Sequence, residues 1–265
     1  ENSPESKVLV IASDIAKYGV GTPGEPTQGA GSVAMLITQN PRIMAFNNDN
    51  VAQTRDIMDF WRPNYSSTPY VNGMYSTQQY LDCLTTTWDE YKKRYDWTMD
   101  DFAAICFHLP YPKLALKGLR KMMDKTLSKE KQDSLQENFD KSILYSQMIG
   151  NIYTGSLFLG LLSLLENAET LKAGDKIALY SYGSGAVSEF FSGELVEGYE
   201  AYLDKERLSK LKQRTALSVA DYEKVFFEEV QLDESGSAQF TAYENQDYAL
   251  VEIVDHQRRY SKVEK

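Results

Sequence analysis

The chain has 265 residues, of which 42% are hydrophobic and 25% are charged, and its formal net charge is −10. This composition is typical of a folded globular protein, and the acidic balance argues against a nucleic-acid or anionic-membrane partner, because both reward clustered Lys and Arg. Two cysteines are too few for a disulfide framework and suit a reducing cytosol.

The N-terminal part predicts buried strands separated by a glycine-rich loop. KVLVIA (7–12) is a continuous apolar run, the pattern of a strand covered on both faces in a parallel or mixed sheet. SVAMLI (32–37) repeats this pattern after the loop GTPGEPTQGAG (21–31), and RIMAF (42–46) is a candidate third strand. The start of the chain has no signal-peptide pattern and no initiator Met. Because it enters a buried strand almost at once, we expect it to continue a longer protein.

The next part of the chain predicts a connection and then a helix. Residues 59–73 (DFWRPNYSSTPYVNG) show no clear period, which favours a long irregular connection and a domain boundary. Ser76 and Gln79 fit a capping box, and apolar residues at helical spacing behind them predict a helix over 77–95.

Apolar runs and helical periodicity predict the remaining elements. The predicted strands are 103–109, 176–185, 186–195 and 246–254, and the predicted helices are 113–123, 129–147, 156–165, about 202–212 and about 218–230. The helix over 113–123 has Leu116, Leu119 and Met123 on one face and basic residues on the other.

Two stretches of the chain resemble each other in pattern. KVLVIASD, a loop and GSVAML match KIALYSYG, a tight turn and GAVSEF: each is a lysine-led buried strand, a glycine turn and a second strand. This similarity suggests two related α/β halves, with the end of one and the whole of the other in this chain.

The segment AICFHLP (104–110) raises three interpretations of Cys106 and His108: a thiolate–imidazolium pair, part of a metal site, or a buried strand that holds both. A strand holds the side chains at i and i+2 parallel, so a small buried hydrophobe is the simpler interpretation of Cys106. Cys83, Cys106, His108 and His256 show no ligand spacing, so we predict no metal site. His108 stands where the chain leaves the sheet, an edge at which open α/β sheets bind ligands.

Two glycine-flanked residues are candidates for substrate binding. Asn151 follows Gly150 before an apolar helix, so it is either a turn residue or an amide that polarises a carbonyl. Ser184 lies in the turn after Gly183. The backbone N–H groups of this turn either bind an oxyanion or belong to a purely structural turn.

The charged candidates also have two interpretations each. The basic face of the helix over 113–123 is either a solvated surface or, if it lies beside a binding site, a surface that attracts phosphate groups. Asp14 and Asp59 are caps or groups that orient a neighbour, and Glu25 is a general base or a solvated loop residue. The basic face contains Lys113, Lys117, Arg120 and Lys121.

Six motifs occur in an order and at a spacing that resemble the 3-hydroxy-3-methylglutaryl-CoA (HMG-CoA) synthases of the bacterial type. The resemblance runs from residue 7 to about 200 and implies a thiolase-like layered α/β fold of two similar halves. In that fold, residues 1–64 would be the final strands of the N-terminal half and 65–265 the complete C-terminal half. The motifs are SDIAKYG (13–19), GEPTQGAGSVAMLI (24–37), DFWRP (59–63), FHLPYPK (107–113), GNIYTGS (150–156) and SYGSG (181–185).

The resemblance implies a reaction and a setting for it. The family transfers the acetyl group of acetyl-CoA to a cysteine, condenses it with acetoacetyl-CoA and releases HMG-CoA by hydrolysis, in the mevalonate pathway of isoprenoid biosynthesis. It implies CoA thioesters as substrates, no separate cofactor, a cytoplasmic homodimer, and neither nucleic acid nor membrane as a partner.

The resemblance also assigns catalytic roles. His108 matches the histidine that binds the carbonyl of the acetoacetyl substrate, and Asn151 matches an asparagine that hydrogen-bonds the substrate. The family's nucleophilic Cys and acid/base Glu precede the SDIAKYG motif, and neither Cys83 nor Cys106 matches the nucleophile's motif. The chain is therefore expected to be the C-terminal part of the enzyme, inactive alone and paired with an N-terminal segment.

The remaining matches are binding and supporting residues. Ser184, in the turn with Gly183, matches a residue beside the acyl group, and Lys113 matches a lysine at the CoA entrance, with Lys117 one helical turn further. Asp14 and Asp59 match acidic residues that support the site.

Two alternatives to this activity stay open. One is another condensing enzyme of the thiolase fold, such as a ketoacyl synthase, against which DFWRP and GEPTQGAG argue. The other is a non-catalytic CoA-binding fragment. Without the N-terminal segment, part of the sheet core is expected to be exposed, so the isolated chain would be poorly soluble or would need a partner.

Overall fold

The computed structural model describes residues 5–66, 68–124, 126–241 and 248–263. The chain divides into two compact units, Glu1–Arg214 and Thr215–Lys265. In the first unit the strands are β1 (Val8–Ala16), β2 (Gly29–Ile37), β3 (Met44–Phe46), β4 (Val51–Thr54), β5 (Phe60–Trp61), β6 (Tyr70–Val71), β7 (Ala104–Phe107), β8 (Lys176–Gly183) and β9 (Val187–Leu195). Its helices are α1 (Gly73–Tyr95), α2 (Pro112–Met122), α3 (Lys129–Ser142), α4 (Leu144–Ile149), α5 (Gly155–Asn167) and α6 (Arg207–Lys212). The second unit contains α7 (Val219–Phe227), β10 (Ala238–Gln239), β11 (Tyr248–Val254) and β12 (Gln257–Lys262).

A mixed sheet forms the centre of the first unit. Its strands run in the order β3-β9-β8-β7, and β4 also pairs with β9. Strands β7 and β8 are parallel, with Phe107 opposite Tyr180, and the pairs with β9 are antiparallel. The predicted strands in these regions are confirmed. Because β7 and β8 are parallel, their carboxyl ends lie at the same edge of the sheet, where His108 and the turn after Gly183 follow.

Helices pack on both faces of this sheet. Side chains along β7 alternate: Ile105 and Phe107 pack in a core with α1 and α2, whereas Ala104 and Cys106 pack in a second core with α5. The predicted layered α/β fold is thereby confirmed, and both faces of β7 are buried, as its continuous apolar run indicates.

The first two strands form an antiparallel ribbon, with Val8 opposite Ile37. The prediction that they are covered on both faces is wrong for the described residues, since Leu9 and Ile11 are 61% and 59% exposed. Among the described residues the ribbon consists of β1 and β2, and one side of it contacts the helices: Val33 packs against the apolar cluster of α4 and α5. An apolar run shows that a strand suits burial, but it does not supply the second covering layer.

Strands β3 and β4 belong to the mixed sheet, where Met44 pairs with Leu195 and Val51 with Phe190. Both strands precede the predicted boundary between 1–64 and 65–265 and pair with a strand that follows it. That boundary refers to the two halves of the thiolase-like fold, and it stays a prediction. The two strand–turn–strand stretches both form antiparallel pairs, β1–β2 and β8–β9, although the strands of the first pair are largely exposed; their origin in two related halves stays a prediction.

The helices differ from the sequence prediction at particular ends. Helix α1 begins at Gly73, because the side chain of Asn72 accepts the N–H of Tyr75 at 3.2 Å. The predicted capping box at Ser76 is therefore wrong. The single helix predicted over 129–147 is interrupted at Ile143 and forms α3 and α4.

Helix α2 buries a face shifted from the predicted one. Leu119 is buried as predicted, but the rest of the buried face consists of Leu114, Ala115, Gly118 and Met122, and Leu116 and Met123 are only partly buried. The basic residues of this helix lie on its exposed side, as predicted.

Two further regions depart from the prediction. The connection predicted over 59–73 contains β5 and β6, whose Trp61 and Tyr70 rings stack at 6.2 Å. The helix predicted from about 202 is a 3-10 turn, Tyr199–Tyr202, followed by α6.

The second unit contains an antiparallel sheet in the order β10-β11-β12. Ala249 and Ile253 of β11 are buried, which confirms the strand predicted over 246–254, although residues 246 and 247 lie outside the described ones. Among the described residues of the whole chain, no helix combines the length and apolar character needed to cross a membrane.

Candidate active site

His108 is the first residue beyond the carboxyl end of β7. Its backbone N–H donates to the carbonyl of Tyr180 on β8 at 2.7 Å, and its carbonyl accepts the hydroxyl of Tyr80 on α1 at 3.0 Å. The Tyr180 hydroxyl in turn donates to the carbonyl of Tyr80 at 3.1 Å. The backbone that carries the imidazole is therefore held by both the sheet and α1.

The imidazole of His108 is neutral at physiological pH. Burial lowers the pKa of His108 to about 4, because the charged ring would lose hydration that no neighbouring group replaces. The side chain of His108 is partly exposed, and within the described ranges its hydrogen bonds are made by its backbone and not by its ring nitrogens. A neutral imidazole with an uncommitted N–H can donate to a carbonyl oxygen or to the alkoxide that develops from it.

Cys106 has a different environment, although it is only two residues away. It is fully buried in the core with Leu157 and Leu164 of α5, and burial raises the pKa of its thiol to about 12. A thiol of that pKa is protonated at neutral pH and is a poor nucleophile. The interpretation of Cys106 as a buried hydrophobe is confirmed.

Asn151 begins the tight turn that leads into α5. Its Oδ1 accepts the backbone N–H of Tyr153 at 2.8 Å and the hydroxyl of Ser156 at 3.0 Å. Its Nδ2 lies 3.4 Å from the hydroxyl of Tyr18. Both interpretations of Asn151 are therefore compatible with the structure, since the oxygen stabilises the turn while the amide nitrogen points away from it.

Two glycines allow this turn to contact the loop of the GEPTQG motif directly. The N–H of Asn151 donates to the carbonyl of Thr27 at 3.0 Å. A Cβ on Gly150 would lie 1.9 Å from the carbonyl oxygen of Gln28, and Gly150 has φ +86°. A Cβ on Gly29 would lie 2.6 Å from the carbonyl oxygen of Asn151. Only glycine fits at either position, which explains why both motifs contain one.

An aromatic cluster lies beside Asn151. The Tyr18 ring packs edge-on against Phe60 at 6.1 Å and Tyr153 at 6.5 Å. Gln28 fixes the backbone of Tyr18 by accepting its N–H at 2.7 Å. Burial, the hydrogen bond with Tyr18 and the charge of Asp14 all raise the pKa of Tyr153, so Asp14 lies close to this cluster.

Asp59 is the centre of a second network. It is fully buried, and its Oδ2 accepts the hydroxyls of Ser184 at 2.8 Å, Tyr182 at 3.0 Å and Ser76 at 3.0 Å. Its Oδ1 accepts the N–H of Gly185 at 3.3 Å. Burial and the charge of Asp59 raise the pKa of Tyr182. The carboxylate therefore holds the exposed turn of the SYGSG motif from behind, which is a supporting position.

The two networks join through two consecutive residues, Asp59 just before β5 and Phe60 at its start. Asp59 binds the turn with Ser184, and Phe60 packs in the cluster that contacts Asn151. His108 and Ser184 follow parallel strands at the same edge of the sheet. Three separate predicted site residues are thus connected to one region of the first unit.

A cavity of about 340 Å³ lies where three of the motifs meet. It is lined by residues 26–28 of the GEPTQG loop, 110–112 of the FHLPYPK motif and 146–151 before α5. Lys113 and Lys117 follow this lining on the exposed side of α2, one helical turn apart. The cavity is large enough for part of a thioester substrate, with the two lysines beside one wall.

Glu25 takes a structural position. Its Oε2 accepts the N–H of Gly21 at 2.6 Å and so stabilises the loop. In the described part of the chain, no three or more His, Cys, Asp or Glu residues are grouped so as to hold a metal ion. The prediction of no metal site stays a prediction, as do the roles of the site residues.

Sequence reasoning did not single out several residues that organise this site. All of them except Ser76 lie in a quoted motif, so motif membership is the available signal, and the partners of Tyr182 and Ser76 lie far away in the sequence. They are Tyr18, Gln28, Ser156 and Tyr182, together with Ser76, which was assigned to a cap.

Comparisons with known proteins identify the family to which the chain belongs. The family model described as "Hydroxymethylglutaryl-coenzyme A synthase C terminal" matches residues 50–137 and 120–263. The chain is 52% identical over 232 residues to a hydroxymethylglutaryl-CoA synthase of Enterococcus faecalis, covering 87% of this chain and 60% of that protein. It is 32% identical to PksG, a polyketide biosynthesis 3-hydroxy-3-methylglutaryl-ACP synthase of Bacillus subtilis (strain 168), over 85% of this chain and 57% of that protein.

A solved structure gives the same result. A crystal structure of an HMG-CoA synthase complexed with CoA superposes with a TM-score of 0.94 at 65% identity, over 99% of this chain and 68% of that one. The chain therefore spans about 60% of the length of the curated relatives that it matches.

Proposed function

Because the chain belongs to the hydroxymethylglutaryl-CoA synthase family, we propose that it is part of an enzyme that condenses acetyl-CoA with acetoacetyl-CoA to form HMG-CoA in the mevalonate pathway. The observation that carries this proposal is the imidazole of His108 at the sheet edge, which is neutral and has no hydrogen-bond partner among the described residues, two residues before the cavity lining. CoA is preferred to an acyl carrier protein as the substrate carrier, because identity to the CoA-dependent relative is 52% and to the ACP-dependent one 32%.

In this proposal the chain's residues act in the condensation step. A cysteine thiolate takes the acetyl group from acetyl-CoA and releases the CoA thiol. A base then removes an α-proton of the acetyl group, and the resulting carbanion attacks the ketone carbon of acetoacetyl-CoA. His108 and the Nδ2 of Asn151 donate to the oxygen that becomes an alkoxide, and protonation followed by hydrolysis of the enzyme thioester releases HMG-CoA.

The thiolate and the base come from outside these 265 residues in this proposal. Cys106 is excluded as the nucleophile by its burial, and Cys83 is also buried with a raised pKa. The exposed apolar ribbon of β1 and β2 offers a surface for the N-terminal segment that would supply them.

The setting of the reaction is part of the proposal. Lys113 and Lys117 lie at the CoA entrance, where their ammonium groups attract phosphates. Ser184 and Gly183 lie beside the acyl group, and Asp14 supports the site. The steps are acyl and proton transfers, so no cofactor or metal is required. The two free, buried cysteines suit a cytoplasmic enzyme, and a homodimer follows the family resemblance.

Intact-mass analysis of the denatured protein, before and after incubation with acetyl-CoA, tests the proposal together with an assay of HMG-CoA formation. We expect a longer chain or a second polypeptide to carry a single acetylated cysteine, and only such samples to form HMG-CoA. Acetyl carrier protein serves as the alternative donor. Acetylation of Cys106, or an acetylated sample that forms no HMG-CoA, would contradict the proposal.

A further inference from the structure

We propose that Ser156 is a positioning residue that determines which way the carboxamide of Asn151 faces. This inference rests on the proposed function, since it concerns the amide that is presented to the substrate. Ser156 does not contact the cavity itself. It lies in the first turn of α5 and its side chain is fully buried.

The hydrogen bonds of Ser156 leave one direction for its proton. Its Oγ accepts the backbone N–H of Ile152 at 2.9 Å, and it lies 3.0 Å from the Oδ1 of Asn151. A hydroxyl group has one proton to donate. Since Ile152 supplies a donor, the proton of Ser156 goes to Oδ1 of Asn151.

A second donor converges on the same oxygen. The backbone N–H of Tyr153 lies 2.8 Å from Oδ1. If the carboxamide were flipped, its NH₂ group would face the N–H of Tyr153, and the hydroxyl proton of Ser156 would have no acceptor. Buried donors without acceptors are strongly disfavoured, so the two donors together select one orientation.

The selected orientation directs Nδ2 toward the aromatic cluster. The hydroxyl of Tyr18 lies 3.4 Å from Nδ2, which is long for a hydrogen bond and leaves the amide able to donate to a ligand. Ser156 therefore determines that Asn151 presents a hydrogen-bond donor, and not an acceptor, to the ketone oxygen of the acetoacetyl substrate.

Ser163 is a matched control on the same helix. It is also fully buried, its Oγ donates to the carbonyl of Lys141 at 2.6 Å, and it accepts the backbone N–H of Tyr145 at 3.3 Å. Its removal therefore creates a similar defect in α5 without touching Asn151.

The test measures steady-state condensation and thermal stability in the enzyme that contains this chain. Ser156→Ala should lower kcat about tenfold, as expected for a displaced positioning group, while Ser163→Ala stays within about twofold of wild type. Ser156→Thr, which keeps the hydroxyl, should restore most of the activity. Ser156→Cys, which donates only weakly, replaces the alanine variant in the test if that variant does not fold.

A double-mutant cycle with Asn151→Ala separates positioning from general packing. If Ser156 acts through Asn151, replacing Ser156 in the Asn151→Ala background should change kcat by less than about twofold. Equal losses in the Ser156 and Ser163 variants, or a full loss that persists without Asn151, would overturn the inference. A wild-type enzyme without condensation activity would refute the proposed function instead.

Discussion

Acidification tests the environment of His108. The pKa of His108 is lowered from 6.5 to about 4 by burial, so between these values the unfolded chain binds a proton that the folded chain does not. The free energy of unfolding should therefore fall as the pH drops from 6.5 toward 4. Above about pH 6.5, His108 should cause no such destabilisation. The full difference between the two pKa values corresponds to about 3 kcal/mol, of which about 2 kcal/mol is lost by pH 5.

The assay is urea unfolding at pH 7.5 and pH 5, with His108→Gln as the comparison. Glutamine does not titrate, so wild type should lose about 2 kcal/mol more than the variant between these pH values. His256→Gln is the control, because it removes the chain's other histidine. Titration of the His108 ring by NMR gives the pKa directly. Equal losses in wild type and His108→Gln, or a ring pKa above 6, would refute the reasoning.

Three further perturbations have expected outcomes. Gly150→Ala should lower the free energy of unfolding by about 3 kcal/mol, and Gly174→Ala by about 1 kcal/mol. Both glycines have a positive φ, but only a Cβ at position 150 would collide with backbone atoms. Equal shifts of the melting temperature in the two variants would contradict this. Asp59→Asn should raise KM for acetoacetyl-CoA about tenfold, because an NH₂ group replaces an acceptor behind the SYGSG turn. The control Asp49→Asn, in another buried network, should affect stability without changing KM. The same KM in both variants would disprove the supporting role of Asp59. Acetyl-CoA at pH 7.5 should leave Cys106 unlabelled in peptide mass spectra, because burial raises its pKa to about 12, and a labelled Cys106 peptide would show that its core position is misassigned.

The sequence predicts best the elements whose character is local. The continuous apolar runs of β7 and β8 identify buried strands, and their carboxyl ends correctly place His108 at an edge of the sheet. The same reasoning fails for β1, because a run that suits burial does not determine whether a second layer covers it. The apolar pattern shows that a strand is suited to burial, whereas the layer that would bury it is formed by other parts of the protein.

Polar residues are harder to predict because their partners are distant. Ser76 has the sequence context of a helix cap, yet its hydroxyl donates to Asp59, 17 residues earlier. The sequence around Asn151 fits both a turn residue and an active-site amide, and in the structure its Oδ1 stabilises the turn while its Nδ2 faces the hydroxyl of Tyr18. Short polar side chains satisfy either a local or a remote group equally well, so only the folded arrangement decides between them.

The most direct test of the account separates the two half-reactions in a His108→Ala variant of the enzyme, with His256→Ala as the control. Acetylation by acetyl-CoA is followed by mass spectrometry and HMG-CoA formation by chromatography. We expect His108→Ala to be acetylated like wild type but to form HMG-CoA about 100-fold more slowly, because the donor to the developing alkoxide is missing. HMG-CoA formation at the wild-type rate would contradict the assignment of His108, and so would an equal loss of both half-reactions.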